Sequence, residues 1–416
     1  MSMDSKVPEI RFKGFGGEWV ENNLGELIDI RSAARVHKEQ WTEAGVPFFR
    51  TSDVVSIYKG QENTKAYISH EVYNDLSEKI GKVTKDDLLI TGGGSIGIPY
   101  LVPNDDPLYF KDADLLWLKN NKKFNGYFLY TFFFSAPFKK HIKGISHTGT
   151  IAHYTIEQAK ATPINTCYDE EQTQIGNYFQ KLDALINQHQ QKHDKLRNIK
   201  KSMLEKMFPK QGETIPEIRF KGFNGEWEEA KLGEIGDTFT GLSGKTKDDF
   251  GHGQGRFVTY LNVFSNAISN ENSVEPIEID TNQNEVKKGD VFFTTSSETP
   301  EEVGMSSIWM SEIKNVYLNS FCFGYRPKQQ FDSYYLAYML RSNSFREKIV
   351  FLAQGISRYN ISKTKVMDIK VSIPCLSEQE KVGNYFQKLD ALINQHQQQI
   401  TKLNNIKQAC LSKMFI

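Results

Sequence analysis

The sequence predicts an α+β chain: two tandem, pseudo-symmetric α/β bodies separated by two long helices that form an antiparallel coiled coil. Three observations predict it. Identical segments recur about 207 residues apart: "PEIRFKGF" at 8–15 and 216–223, and "GNYFQKLDALINQHQQ" at 176–191 and 383–398. Apolar residues at heptad spacing run through and beyond both copies of the second segment. In each body strand-like runs come first and one amphipathic helix later, an order that belongs to α+β folds and not to alternating βαβ ones.

The duplication divides the chain into residues 1–168 (first body), 169–210 (first helix), 211–375 (second body) and 376–416 (second helix). Each opening repeat continues into Gly-Glu-Trp (17–19; 225–227) and Leu-Gly-Glu (24–26; 232–234). Between the identical segments the units diverge, with echoes. "TKDDLLITGGGSIG" (84–97) faces "KKGDVFFTTSSETPEEVG" (287–304), and "NGYFLYTFFFSAPFKKHIKGIS" (125–146) faces "DSYYLAYMLRSNSFREKIVFLAQGIS" (332–357). So long a period is not a solenoid. It is a duplicated domain with approximate twofold symmetry and two similar binding faces.

In the bodies, strand-like runs are "FFRTSDVV" (48–55), "DLLIT" (87–91), "DLLWL" (114–118), "VTYLNV" (258–263) and "DVFFT" (290–294). One amphipathic helix is expected near 126–143 and another near 332–352. Trp19 and Trp227, placed alike in the two units, read as core or docking anchors rather than base-stacking residues.

The first heptad stripe runs Ile175, Phe179, Leu182, Ile186, His189, His193, Leu196, Ile199, Met203. The second runs Val382, Phe386, Leu389, Ile393, His396, Ile400, Leu403, Ile406, Cys410. Two such stripes in one chain bury each other most simply. Glu170, Glu171, Glu378 and Glu380 fall in first turns, where acids suit the helix dipole, and Pro209 ends the first helix. About 35 residues make a rod of roughly 50 Å. His189 and His396 share one seam position. They read first as polar residues that fix register, and secondly as a metal or catalytic pair. The lysines of 192–201, with Lys206, read first as a solvated face and secondly as a surface for a partner protein or a phosphate backbone.

Composition narrows the classes. The 416 residues carry 51 Lys and Arg against 51 Asp and Glu, so net charge does not announce a nucleic-acid binder. Any anionic partner must meet a local patch or share its contacts with another subunit. Cys167, Cys322, Cys375 and Cys410 form no CxxC pair, which suggests free thiols in a cytoplasmic chain, not a disulfide frame or zinc site. "MSMDSKVPEI" has no apolar signal region. "YFLYTFFFSAPF" (127–138) is too short to span a membrane, which takes ~20 residues, and reads as a buried helix.

One motif invites a cofactor. Gly92-x-Gly94-x-x-Gly97 follows the run Leu88-Leu89-Ile90 and spells the dinucleotide fingerprint. That fingerprint needs a helix after the glycines. Here "IPYLVP" follows, with Pro99 and Pro103, and the sister unit keeps only the last glycine. "FGHGQG" (250–255) likewise leads into a strand-like run. No GxxxxGK[ST], HExxH, amino-methyltransferase Asn/Asp-Pro-Pro-Tyr/Phe or nuclease-like carboxylate set stands out.

Two variable bodies, each opening "PEIRFKGF…GEW…LGE" and each closing Pro…Glu-Gln before a repeated coiled coil (Pro163…Glu171-Gln172; Pro374…Glu378-Gln379), resemble the specificity subunit of a type I restriction-modification enzyme along the whole chain. The resemblance implies that the bodies are target-recognition domains, each reading one half of a bipartite, asymmetric sequence in double-stranded DNA. It implies that the coiled coil sets the unread spacer and docks two methyltransferase subunits, with restriction subunits added in the full complex. It implies a non-catalytic chain without cofactor, S-adenosylmethionine, ATP and Mg belonging to the partners, and a target base flipped from the duplex.

Recognition loops vary, so DNA contacts are expected at glycine-rich and short polar segments beside strand ends. In the first body these are Gly93, Gly94, Ser95, Ser146, His147, Thr148, His153 and Tyr154; in the second, Ser243, Lys245, Ser296, Ser297, Arg358 and Tyr359. Each also reads as an ordinary turn residue. Seam positions are Phe179, Leu182, Ile186, His189 and Leu196 in the first helix, and Phe386, Leu389, Ile393, His396 and Leu403 in the second. The alternatives are a self-contained DNA-modifying enzyme and a coiled-coil adaptor without a DNA role.

Overall fold

The computed structural model describes residues 6–146 and 153–416. The chain resolves into two compact units, residues 1–190 with 398–416, and residues 191–397. The long helices, Asp169–Lys206 and Leu376–Lys413, are 38 residues each. Each unit thus holds one body, the first part of one long helix and the last part of the other.

Both bodies have the same centre, a four-stranded antiparallel sheet. In the first the order is Asp29–Arg31, Leu115–Lys119, Leu88–Thr91, Pro99–Leu101; in the second it is Gly236–Thr240, Cys322–Pro327, Val291–Thr294, Ser306–Ile308. The strands Leu88–Thr91 and Val291–Thr294 are buried throughout. Alternation sends their side chains to opposite faces. Leu88 and Ile90 join Trp19, Phe128 and Phe179 in one cluster, while Leu89 joins Phe110, Leu115 and Trp117 in another. In the second body Val291 and Phe293 divide from Phe292 in the same way. A smaller sheet with one parallel pair completes each body: Phe48 beside Tyr109, and Phe257 beside Tyr317.

Three sequence expectations need correction. Each anticipated body helix is two helices: Gly126–Phe132 with Ala136–Ser146, and Ser333–Met339 with Asn343–Leu352. Ser135 and Ser342 sit at the breaks, and their hydroxyls accept from Phe138 N and Phe345 N, which favours a new N-terminus over continuation. "FFRTSDVV" is strand only to Phe49 and then helix Thr51–Lys59, because Asp53 accepts from Arg50 N at 2.8 Å. "VTYLNV" turns helical at Tyr260–Ser265, where Thr259 caps Asn262 N.

The repeated motifs are the joints between body and helix. Val20–Asn23 pairs antiparallel with Pro163–Thr166, and Glu228–Lys231 with Lys370–Ile373, so each opening repeat closes onto the strand before a long helix. The Leu-Gly-Glu glutamates accept from backbone amides three residues earlier, Glu26 from Asn23 N and Glu234 from Lys231 N. Arg11 grips Glu171 through two bonds, 2.6 and 2.7 Å, and Arg219 grips Glu378 at 2.7 and 2.8 Å. Both glutamate side chains are buried, so the first-turn acids expected merely to suit the helix dipole are clamped from the opening repeat. Each guanidinium is held above its usual range by that bond.

The long helices pair antiparallel within each unit. In the first, Tyr178 faces Cys410 and Asp183 faces Lys407; in the second, Lys200 faces Asp390 and Phe208 faces Phe386. The expected seam residues are buried or half-buried: Phe179, Leu182, Phe386 and Leu389 are buried, and Ile186, His189, Leu196, Ile393, His396 and Leu403 half-buried. His193 is also buried. Asp183 and Asp390 each receive a lysine at 2.5 Å and a tyrosine hydroxyl at 2.6 Å, from Tyr127 and Tyr338.

Helix ends complete the cores. Phe415 packs on Trp19 and Phe128, and Phe208 on Trp227 and Tyr335. Burying each phenylalanine stabilises by about 1.5–3 kcal/mol. Both tryptophans are core residues, 2% and 3% exposed. The pairs Met207-Phe208 and Met414-Phe415 were available as a signal, since "KMF" recurs at 206–208 and 413–415.

Candidate nucleic-acid interface

In both bodies the loop after the buried central strand meets the segment after the last pair of body helices. In the first, Gly93 bridges His153 antiparallel, and Tyr154 N donates to Gly92 O at 2.8 Å. In the second, Ser296 pairs with Asn360 and Ser297 with Tyr359. Two chain segments expected separately from sequence are thereby brought to one platform per body. Gly94, Ser95 and His153 are exposed on the first and Arg358 on the second.

The glycines do not open a helix. Leu88–Thr91 turns back into Pro99–Leu101 as an antiparallel pair, Ile90 opposite Pro99. At Gly92 an added Cβ would stand 2.9 Å from Tyr154 O, and at Gly97 3.1 Å from the Phe138 ring. These glycines allow close packing of the loop on its neighbours. A pyrophosphate cradle would require the helix N-terminus that is absent here.

The other candidates separate. Tyr154 is 1% exposed, its hydroxyl 2.6 Å from Thr162 Oγ1, and burial pushes its pKa up. It is a core residue and offers a duplex no surface in this conformation. Ser296 and Ser297 are buried at the platform's base; Ser296 O accepts from Tyr260 OH, and Ser297 Oγ meets Glu302. Ser243 and Lys245 are tied elsewhere: Ser243 N donates to Gln283, and Lys245 Nζ lies 2.8 Å from Asp280. Ser146 ends the helix Ala136–Ser146, and His147 and Thr148 lie outside the described residues.

Sequence reasoning missed two arginines of the second body that pin backbone carbonyls, those held by Arg346 lying in the loop after the serine pair. Arg341 donates to the carbonyls of Ser306, Val263, Phe264 and Asn266, and Arg346 to those of Glu301, Val303 and Gly304. Burial lowers both pKa values to about 10. Nothing in a local window marks an arginine that will bind carbonyls over 30 residues away.

Among the described residues no group of three or more His, Cys, Asp or Glu is placed to hold a metal ion, and no helix is long and apolar enough to cross a membrane.

A duplicated α+β body, each copy joined to a long helix and carrying one loop platform, defines a tandem chain of two alike units. The sequence profile described as type I restriction modification DNA specificity domain matches residues 16–198 and again 224–405. The chain belongs to this type I restriction-modification specificity family. Its fold is similar to that of the type I restriction-modification S subunit from M. genitalium, with TM-score 0.56, 17% identity and 99% of each chain covered. A second solved structure, from a study of complex assembly and conformational transition of the type I R-M system, gives TM-score 0.54 at 15% identity, covering 94% of this chain and 96% of that one. Among curated proteins, a Haemophilus influenzae protein named "Putative type I restriction enzyme specificity subunit" is 28% identical over 167 residues, 39% of this chain and 40% of the relative. A Methanocaldococcus jannaschii protein, "Putative type I restriction enzyme MjaX specificity subunit", is 25% identical over 46% of this chain and 45% of the relative. The matches thus span under half the length of these curated relatives.

Proposed function

We propose that this chain is the DNA-reading subunit of a type I restriction-modification complex, each body reading one half of a bipartite, asymmetric duplex target. The observation that carries the reading is a constant frame bearing two platforms alike in backbone and different in side chains. The glycine loop with His153 and the serine pair with Arg358 and Tyr359 occupy equivalent places. Different chemistry on one geometry suits two different half-sites. Gly93, Gly94, Ser95 and His153 serve the first, and Arg358 and Tyr359 the second; Arg358 suits a guanine edge or a phosphate.

The coiled coil sets the unread gap and docks two methyltransferase subunits. A helix of 38 residues is about 57 Å long, enough for half-sites one helical turn, ~34 Å, apart. The chain itself is not the catalyst. S-adenosylmethionine acts on the methyltransferase subunits, and ATP and Mg on the restriction subunits. Partner subunits add phosphate contacts to those of local basic residues, since the chain as a whole has zero net charge.

The test is a methylome of cells carrying the whole system, followed by insertion of seven residues into each long helix. The insertion should lengthen the unread gap and leave both half-sites unaltered. Methyl transfer by the purified chain with S-adenosylmethionine and DNA alone would establish a self-contained enzyme instead. Absence of any sequence-selective footprint with the methyltransferase present would leave only an adaptor.

A further inference from the structure

The segment 353–367, "AQGISRYNISKTKVM", carries Arg358, Lys363 and Lys365 and no acid, in a chain whose total charge is zero. Its first part is a tight loop. Gln354 N donates to Asn360 O, Asn360 N donates to Gln354 O, both at 2.9 Å, and the Asn360 side chain donates to Arg358 O. Gly355 has φ +145°, and a Cβ there would lie 2.1 Å from Arg358 O, so the loop closes only around a glycine. At its tip Ile356 is 96% exposed.

Single exposed apolar side chains are common and need no explanation. Ile356 differs in its support. Its loop is hydrogen-bonded at the base, and Ile361 N donates to Thr295 O, tying it to the serine platform. Thr295 in turn binds Phe321 O through both its amide and its hydroxyl, and Phe321 is 59% exposed. An apolar tip on a hydrogen-bonded loop whose own segment carries three basic side chains, with Glu298, Glu301 and Glu302 on the neighbouring loop after the serine pair, matches a surface with phosphate charge on either side of an exposed thymine methyl. That surface is a nucleic-acid groove, where base edges lie between phosphate rows.

We propose that Ile356 is a specificity-determining residue of the second body, making apolar contact with base edges of its half-site while Arg358 and Lys363 contact flanking phosphates. A preformed loop loses little conformational freedom on binding, so the contact is available at low entropic cost. The tip cannot read phosphate, so its effect falls on target and not on random sequence. This inference rests on the DNA-reading function above.

The test uses the full chain assembled with its methyltransferase subunits, and a duplex carrying the sequence found by locating methylated bases. Ile356→Ala should lower affinity for that duplex about tenfold or more. Affinity for a scrambled duplex, the melting temperature and assembly should stay as in the wild type. Gly355→Val, which distorts the loop, should reproduce the loss. Arg358→Ala should weaken both duplexes and lower the salt dependence by about one phosphate contact. Wild-type target affinity in Ile356→Ala would overturn the proposal. So would impaired assembly with target preference intact, which would make Ile356 a protein contact. A wild-type complex that selects no bipartite target would instead defeat the DNA-reading function itself.

Discussion

The triplet Gly-Ile-Ser occurs at 144–146 in the first body and at 355–357 in the second, with opposite outcomes. In the first it is the end of the helix Ala136–Ser146, and Ile145 is half-buried against the core. In the second the preceding helix stops at Leu352, Ala353 is extended, and the triplet forms the tight loop that exposes Ile356. Arg11–Glu171 and Arg219–Glu378, by contrast, agree to within 0.1 Å. The difference teaches where this fold permits change. Residues that join a body to a long helix are duplicated in sequence and geometry. Residues on the platforms, which no long helix constrains, keep the backbone pairing but differ in side chains, and the Gly-Ile-Ser segment before them differs in conformation.

The largest test of that division is the arginine clamp. Arg219→Ala leaves Glu378, 1% exposed, without its cation, and Arg11→Ala does the same to Glu171, 0% exposed. Stranding a buried charge costs about 3–5 kcal/mol. Urea unfolding of the full chain should show this loss in the transition of the unit concerned, similar for the two variants. Adding Glu378→Gln to Arg219→Ala should recover part of it, because the orphan is then neutral. A much smaller loss for Arg11→Ala would make the pseudo-symmetry one of shape without equal energetics.

A smaller effect is expected at the glycines inside the repeated "GNYFQKLD". A Cβ on Gly176 would stand 2.1 Å from Asn125 Oδ1, and on Gly383 2.1 Å from Asp332 Oδ1. Those oxygens cap the helices Gly126–Phe132 and Ser333–Met339, accepting from Phe128 N and Tyr335 N. Gly176→Ala and Gly383→Ala must displace a cap, at about 1 kcal/mol, and overpack the joint, at about 1–3 kcal/mol. Thermal unfolding should show a slightly greater loss for Gly383→Ala, since its Cβ would stand 2.8 Å from Tyr335 N, against 3.1 Å from Phe128 N for Gly176. Equal or negligible losses would mean that the joints yield, and that the repetition of these glycines has another cause.

What was legible in the sequence follows the same division. The heptad stripes predict the long helices and their seam because one period runs through both 38-residue helices. The repeats predict two alike bodies. The clamp was not legible: Arg11 and Glu171 are 160 residues apart, and only folding of the opening repeat onto the strand before the helix joins them. The helix break at Ser135 lay hidden inside an apolar run and that at Ser342 inside a stretch read as one amphipathic helix; in each a capping serine outweighs the surrounding pattern. The platform was half legible. Glycine and short polar residues marked its loops, but Tyr154 is polar in sequence and buried in structure, and the apolar Ile356 escaped a search for polar contacts.

The smallest expected effect concerns Lys245, a basic residue beside a polar loop and so a natural candidate for phosphate. The structure gives its charge a partner: Nζ is 2.8 Å from Asp280 and 3.9 Å from Asp249, whereas Arg358 is exposed. Lys245→Met should therefore weaken DNA binding less than Arg358→Ala. Its hydrogen bond to Asp280 is the main cause that lowers that carboxyl's pKa to about 2. An unfolded aspartate titrates near 3.9, so the folded state is favoured by the pair above about pH 4, and the advantage is lost as pH falls toward 2. A surface pair contributes little and is screened by salt, so the comparison is best made at low ionic strength. The urea midpoints of wild type and Lys245→Met should differ slightly at pH 7 and converge by about pH 2. A difference independent of pH would show that the lysine acts through its apolar stem. A loss of DNA affinity as large as that of Arg358→Ala would show that the pair opens on the duplex, and would return Lys245 to the reading surface of the second body.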